Sequence, residues 1–317
     1  MGADIFDVIT MGRVGIDMYP LQTGVGLERV STFGKFLGGS ATNVAVAAAR
    51  HNARSAVITR TGDDPFGEFV HLQLRDLGVD DRYVSTVEGL PTPVAFCEIF
   101  PPDNFPLYFY RLPKAPDEEI HPEELDLDAI NTAKVFWVTA GGLTTEPSRA
   151  AHHVALESRR GARHTVIDLD LRRDFWNSRD EAAAEIDSVL PLVTVAIGNI
   201  AECDFALGIS EPAAAARALL ERGVELAIVK LGPKGVLAMT HVEAIEVPPV
   251  AVDIVNGLGA GDSFGGALCH GLIEGWPLDR LIRFANAAGA IVASRLECST
   301  AMPTTEEVES LLGWGRP

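Results

Sequence analysis

Short apolar runs rich in β-branched residues recur along the chain, and most of them stop at glycine or at a charge. The runs are Val8-Ile9-Thr10-Met11-Gly12, Ser55-Ala56-Val57-Ile58-Thr59, Val135-Phe136-Trp137-Val138-Thr139, Thr165-Val166-Ile167-Asp168-Leu169-Asp170, Val193-Thr194-Val195-Ala196-Ile197-Gly198 and Leu226-Ala227-Ile228-Val229-Lys230-Leu231. Continuous rather than alternating apolar character suits strands covered on both faces. Between them the apolar spacing changes to three and four residues. That spacing predicts helices from Val44 to Arg50, from about Phe66 to near Gly78, from near Pro147, and through Phe264, Ala267, Leu268 and Leu272. Strand–helix alternation of this kind predicts an α/β fold with a three-layered, mostly parallel sheet.

The pattern changes between residues 91 and 113. Thr92–Phe100 and Leu107–Leu112 alternate with period two around the loop Pro101-Pro102-Asp103-Asn104-Phe105-Pro106, which predicts a β-hairpin. Apolar residues on both of its faces suit a small β lid, one face closing over a ligand and the other meeting a second copy of the chain. Two ordinary edge strands would read the same way. With no low-complexity linker, residues 1–317 are expected to form one domain carrying this lid.

Composition narrows the function. Hydrophobic residues make up 47% and charged residues 22%, a globular profile, and the net charge of −18 would repel a nucleic acid. Cys97, Cys203, Cys269 and Cys298 form no CxxC pair and suit buried thiols in a reducing compartment. Asp4 and Asp7 stand where a signal peptide would be basic, and no uncharged apolar run reaches membrane-spanning length. A cytoplasmic protein with no membrane partner is expected.

The densest chemistry lies in Asn256-Gly257-Leu258-Gly259-Ala260-Gly261-Asp262-Ser263-Phe264, where glycines precede a helix. Free N–H groups at a helix start form a pocket for an anion, and the dipole there favours an ionised Asp262. An anion pocket beside a carboxylate base is what hydroxyl-to-phosphate transfer needs. The same residues also make an ordinary glycine turn with a helix-starting Asp. Gly38-Gly39-Ser40-Ala41-Thr42-Asn43 opens the earlier helix, with Asn43 suited to a sugar hydroxyl or to a helix cap. Asp17 is expected just past the first strand, as a ligand or as a turn cap. The chain has no Walker A, no complete dinucleotide fingerprint, no HExxH and no GxSxG.

Two separated motifs resemble those of the ribokinase-like (PfkB) carbohydrate kinases. Gly38–Ala45, with Gly62 further on, is similar to that family's sugar-site signature, and Gly257–Phe264 to its GAGD signature. Asn199 with Glu202 matches its N-x-x-E, and Lys230-Leu231-Gly232 falls where a nucleotide-contacting strand end is expected. The resemblance implies a ribokinase-like fold, ATP and Mg²⁺. It implies that Asp262 is the base, that the N–H groups of Gly259, Ala260 and Gly261 are the anion hole, and that Glu202 holds Mg²⁺ through water. Asn199, Lys230, Gly232 and Asn286 would lie along the nucleotide, and Asp17, Gly38, Gly39 and Asn43 at the sugar. Asn256-Gly257 replaces the family's frequent Asp-Thr pair, which leaves a monovalent cation site open.

A neutral sugar needs no buried cation. Arg111, after Tyr110 on the lid, and Arg172, past a sheet strand, resemble residues that sugar-acid kinases of the family use for the substrate carboxylate. Surface ion pairs with Asp168, Asp170 or Asp174 are the alternative. Met11–Asp17, Tyr19–Gln22, Phe96–Pro102, Phe109-Tyr110-Arg111 and Asn256-Gly257-Leu258 are similar to the sugar-acid kinases of inositol breakdown. That resemblance implies phosphorylation of the C6 hydroxyl of 5-dehydro-2-deoxy-D-gluconate. A 2-keto-3-deoxygluconate kinase would use the same groups, and a non-catalytic sugar-binding regulator would share the scaffold.

Overall fold

The computed structural model describes residues 5–314, so that Asp4 lies outside it. In chain order the elements begin with β1 (Val8–Met11), β2 (Gly15–Pro20), β3 (Phe33–Gly38), α1 (Ser40–Arg50), β4 (Ser55–Gly62) and α2 (Pro65–Asp76). Four short strands follow, β5 (Val79–Asp80), β6 (Val84–Val87), β7 (Val94–Cys97) and β8 (Leu107–Tyr110). The α/β rhythm then resumes with α3 (Leu127–Thr132), β9 (Val135–Thr139), α4 (Ser148–Ser158), β10 (Thr165–Asp168), α5 (Arg179–Val189) and β11 (Val195–Asn199). Next come α6 (Ile200–Leu207), α7 (Pro212–Glu221), β12 (Leu226–Lys230), β13 (Val236–Thr240) and β14 (Ala244–Val247). The helices α8 (Ala260–Ile273), α9 (Leu278–Ala293) and α10 (Thr305–Leu312) complete the described chain.

The large sheet runs β14-β13-β12-β11-β10-β9-β1-β4-β5, with β6 paired to β4. From β12 to β5 neighbours are parallel, and β13 alone in this sheet runs the other way, antiparallel to both β12 and β14. Strand β9 shows why its sequence is continuously apolar. Phe136 and Val138 pack into the core on one face with Leu156, Ile186 and Leu219, while Val135 and Trp137 pack on the other with Phe264, Leu268 and Phe284. The result is the three-layered, mostly parallel α/β architecture that the pattern predicts. Among the described residues no helix is long and apolar enough to cross a membrane, and all four cysteines are free and buried.

A second sheet, β3-β2-β7-β8, stands apart from the first. The strands expected within 91–113 are its β7 and β8, joined antiparallel. The hairpin is only half of this sheet, because β2 pairs parallel with β7 and antiparallel with β3. Asp17 is therefore on a strand, not in the turn after β1. Its position was hard to read because Gly15–Pro20 pairs with residues far along the chain.

Helices α1 and α8 lie side by side. A Cβ on Gly266 of α8 would come 2.3 Å from Ala47 Cβ and 2.6 Å from the Ala47 carbonyl carbon of α1. Only glycine allows that approach, and the N-termini of the two helices are brought to one place by it. Gly266→Val is expected to destabilise the fold by about 1–3 kcal/mol through overpacking. Urea denaturation checks this, and unchanged stability would contradict the helix contact.

Candidate active site

Two helix starts meet here, each requiring left-handed backbone at its first residue. Gly39, at the start of α1, has φ +99°, and a Cβ there would lie 2.4 Å from the Arg13 carbonyl oxygen. Gly259, at the start of α8, has φ +79°, and a Cβ would lie 2.1 Å from Cys298 Sγ. Across the junction Asn43 Nδ2 donates to Asp262 Oδ2 at 2.7 Å. The Ser299 hydroxyl lies 2.6 Å from both Asn43 Oδ1 and the Leu37 carbonyl oxygen, on the side of the amide away from Asp262. The N–H groups of Gly259, Ala260 and Gly261 make no backbone hydrogen bond among the described residues. Asn256 is fully buried; it donates to the Leu296 carbonyl at 2.8 Å and accepts from Leu258 N–H at 3.1 Å, fixing the approach to this loop.

The charges around Asp262 change one expectation. Burial, reinforced by Asp170, pushes its carboxyl up to about 7, against the Asn43 hydrogen bond, Lys230 and Arg172. The helix start alone would keep it ionised, but desolvation and a like charge outweigh that effect. Burial likewise raises Asp17 to about 6, although it accepts from the Tyr19 hydroxyl at 3.0 Å. Asp168 is raised to about 7 by burial, with Lys230 opposing. Burial works against the Lys230 ammonium, but Asp168, Glu202 and Asp262 raise its pKa and keep it charged. Its Nζ is 4.0 Å from Asp168 Oδ1 and 3.1 Å from where a Gly261 Cβ would stand.

The arginines are arranged differently from the expectation. Arg172 Nη2 meets Asp170 Oδ1 at 2.9 Å. Arg13, which sequence reasoning passed over, is buried and bonds Asp170 Oδ2 and, at 3.2 Å, Ser40 Oγ. Burial raises the Asp170 carboxyl, but Arg172 and Arg13 outweigh it and hold the group below the usual range. Arg111 lies outside the Asp262 cavity. Its guanidinium meets Asp117 Oδ2 at 2.9 Å and Glu118 Oε1 at 3.0 Å, and it lines a neighbouring cavity with Arg13 and Phe109. Tyr110 is a correction. Strand alternation turns Phe109 inwards and leaves Tyr110 66% exposed on the opposite face, edge-on to Phe96.

Two cavities meet at the start of α8. One is lined by Asp17, Gly39, Asn43, Arg13, Arg172 and Asp262, and Gly259 also borders it. Gly38 packs against Asp17, where a Cβ would come within 2.3 Å of the carboxyl. The other holds about 590 Å³ and is lined by Lys230, Gly232, Ala260, Gly261, Phe264 and Asn286 among others. Asn286 Nδ2 donates to the Pro248 carbonyl at 2.8 Å. Four consecutive residues, Gly259 to Asp262, thus divide a small polar space from a larger, mostly apolar one.

Asn199 and Glu202 cap α6 reciprocally. Asn199 Oδ1 accepts from Glu202 N–H at 2.9 Å, and Glu202 Oε2 accepts from Asn199 N–H at 2.7 Å. Neither residue lines the two cavities. Among the described residues no three His, Cys, Asp or Glu side chains group to hold a metal directly. Glu202 Oε1 takes no hydrogen bond there, which fits an ion that keeps its water shell and is held chiefly by phosphate oxygens. Sequence reasoning missed Arg13, Ser40, Asp170 and Ser299. The available signal was position, since Arg13 and Asp170 follow the carboxyl ends of β1 and β10.

Residues 6–305 match the family described as pfkB family carbohydrate kinase. The chain is 31% identical over 312 residues to 5-dehydro-2-deoxygluconokinase of Shouchella clausii (strain KSM-K16), covering 97% of this chain and 95% of that one. It is 34% identical over 314 residues to probable fructokinase-3 of Arabidopsis thaliana, covering 96% and 91%. Its fold matches a putative Ribokinase II from E. coli in complex with ATP and Mg²⁺ (TM-score 0.88, 22% identity, 98% of this chain and 100% of that one).

NMR titration of the Asp262 carboxyl carbon is expected to give a midpoint near 7. In Asn43→Ala the ionised form loses a hydrogen bond, so the midpoint should move to higher pH. A midpoint near 4, or one unmoved by the substitution, would contradict the geometry.

Proposed function

Because the chain belongs to the pfkB family of carbohydrate kinases, we propose that it transfers the γ-phosphoryl group of ATP to the C6 hydroxyl of 5-dehydro-2-deoxy-D-gluconate. The observation that carries this reading is the division of two cavities at one helix start, with a half-buried carboxylate, Asp262, on the acceptor side. The acceptor's hydroxyls would be gripped by Asp17, Asn43 and the backbone at Gly38 and Gly39. Asp262 would take the proton of the attacking hydroxyl, and its pKa of about 7 suits proton transfer near neutral pH. Gly259, Ala260 and Gly261 would hold the transferring phosphoryl through their N–H groups.

On the other side, Lys230 would add a fixed positive charge near the phosphates, and Gly232 and Asn286 would border the nucleotide. Mg²⁺ bound to the nucleotide would neutralise charge on the β- and γ-phosphates. Glu202, beside Asn199, is the carboxylate we assign to its water shell. Asn256 spends both ends of its amide on the protein itself, so we assign no monovalent cation to it. The specific acceptor is supported by the Shouchella clausii relative's name and by two guanidinium groups in the acceptor cavity. The Arabidopsis relative's name points instead to a neutral sugar, which would give the two guanidinium groups no charge beyond the Asp170 they share. The outer face of the second sheet, with Phe96, Tyr108 and Tyr110, is the surface we assign to pairing with a second copy of the chain, in the cytoplasm.

Purified protein with ATP and Mg²⁺ is expected to form ADP when this acid is added. Asp262→Asn should slow turnover by roughly 10²–10⁴-fold, the usual worth of a positioned base, while the acid still binds. Turnover equal to the unsubstituted protein would remove Asp262 as the base.

A further inference from the structure

Arg13, Asp170 and Arg172 form a chain in which two guanidinium groups share one carboxylate. These three groups together carry one positive charge in excess, beside the cavity's own carboxylates Asp17 and Asp262. Arg111 shows the opposite balance. It faces both Asp117 and Glu118, so its surroundings carry one negative charge in excess. An incoming carboxylate would be attracted to the first array and repelled by the second.

Arg13 also has unused hydrogen-bonding capacity. Its Nη2 serves Asp170 and Ser40. Its Nε is buried with no partner among the described residues. Nη1 makes no hydrogen bond there either. The guanidinium is held in place by the rings of Phe109 and Phe175, with centroids 5.8 Å and 5.5 Å away. It borders both the Asp262 cavity and the one beside Arg111. The other carboxylates of the acceptor cavity, Asp17 and Asp262, already accept from Tyr19 and Asn43 and suit hydroxyl groups.

We propose that Arg13 is a specificity-determining residue, receiving the substrate's carboxylate jointly with Arg172, and that Arg111 instead ties the lid to the segment around Asp117. Asp170 is a positioning residue in this arrangement, holding the two forks at a fixed separation. The proposal rests on the sugar-acid reading above.

The test compares KM for 5-dehydro-2-deoxy-D-gluconate with KM for D-fructose, in the unsubstituted protein and in Arg13→Gln, Arg13→Lys and Arg111→Gln. A charge-assisted hydrogen bond lost from one partner predicts that Arg13→Gln raises KM for the acid by about ten- to a hundredfold relative to fructose. Arg13→Lys keeps the charge but loses the fork, so an intermediate shift is expected; this variant decides the matter if Arg13→Gln does not fold. Arg111→Gln should leave the ratio of the two constants unchanged. If the unsubstituted protein uses fructose as well as the acid, the sugar-acid reading fails. If it prefers the acid and the Arg13 variants keep the same ratio, or if Arg111→Gln shifts it equally, the assignment of Arg13 fails alone.

Discussion

The hydrogen bond from Asn43 to Asp262 is the contact on which the site depends, and it exists because α1 and α8 touch along glycine and alanine. Each residue sits in the first turn of its helix, so a shift of either axis would separate amide from carboxylate. Ser299 backs the amide, its hydroxyl 2.6 Å from Asn43 Oδ1 and from the Leu37 carbonyl, while Asn43 Nδ2 faces Asp262. The same contact brings the free N–H groups of α8 beside the cavity that Asn43 borders. Backbone geometry thereby places free N–H groups and a carboxylate within one turn of helix, the pair to which we assign the anion pocket and the base.

Burial then sets the chemistry. Asp17, Asp168, Asp262 and Glu202 are all raised above their usual values by desolvation, and repulsion from Asp170 adds to it for all but Asp17. Asp170 is the exception, because two arginines outweigh the cost of its burial. One protein region thus holds a carboxylate that stays ionised as a structural anchor and another poised to exchange a proton near neutral pH. The difference comes chiefly from their neighbours, since both are aspartates withdrawn from solvent, Asp170 buried and Asp262 half-buried. The guanidinium pair outnumbers the one carboxylate it anchors, and in our proposal this would give the acceptor cavity a preference for an acid.

Much of the fold was legible because its strands are covered on both faces. Their continuous apolar runs differ plainly from the helical spacing between them, and β9 illustrates this, with Phe136 and Trp137 in separate cores. The second sheet was only half legible. Strands β7 and β8 are neighbours in sequence, whereas β2 meets β7 across roughly eighty residues, a pairing that local pattern cannot convey. At the site, glycine-rich helix starts were readable since few residues other than glycine tolerate their backbone. The arginines were not, because an arginine's partner is set by which loops converge. Arg111 was noticed for its place on the lid and proved committed to Asp117 and Glu118, while Arg13 looked unremarkable after β1 and lies in the acceptor cavity.

The central claim is that this cavity selects an acid. The most direct measurement is a competition in which limiting ATP and Mg²⁺ meet equal concentrations of 5-dehydro-2-deoxy-D-gluconate and D-fructose, with products resolved by ³¹P NMR. The account predicts that nearly all phosphate appears on C6 of the acid. Phosphorylation mainly of fructose would contradict it.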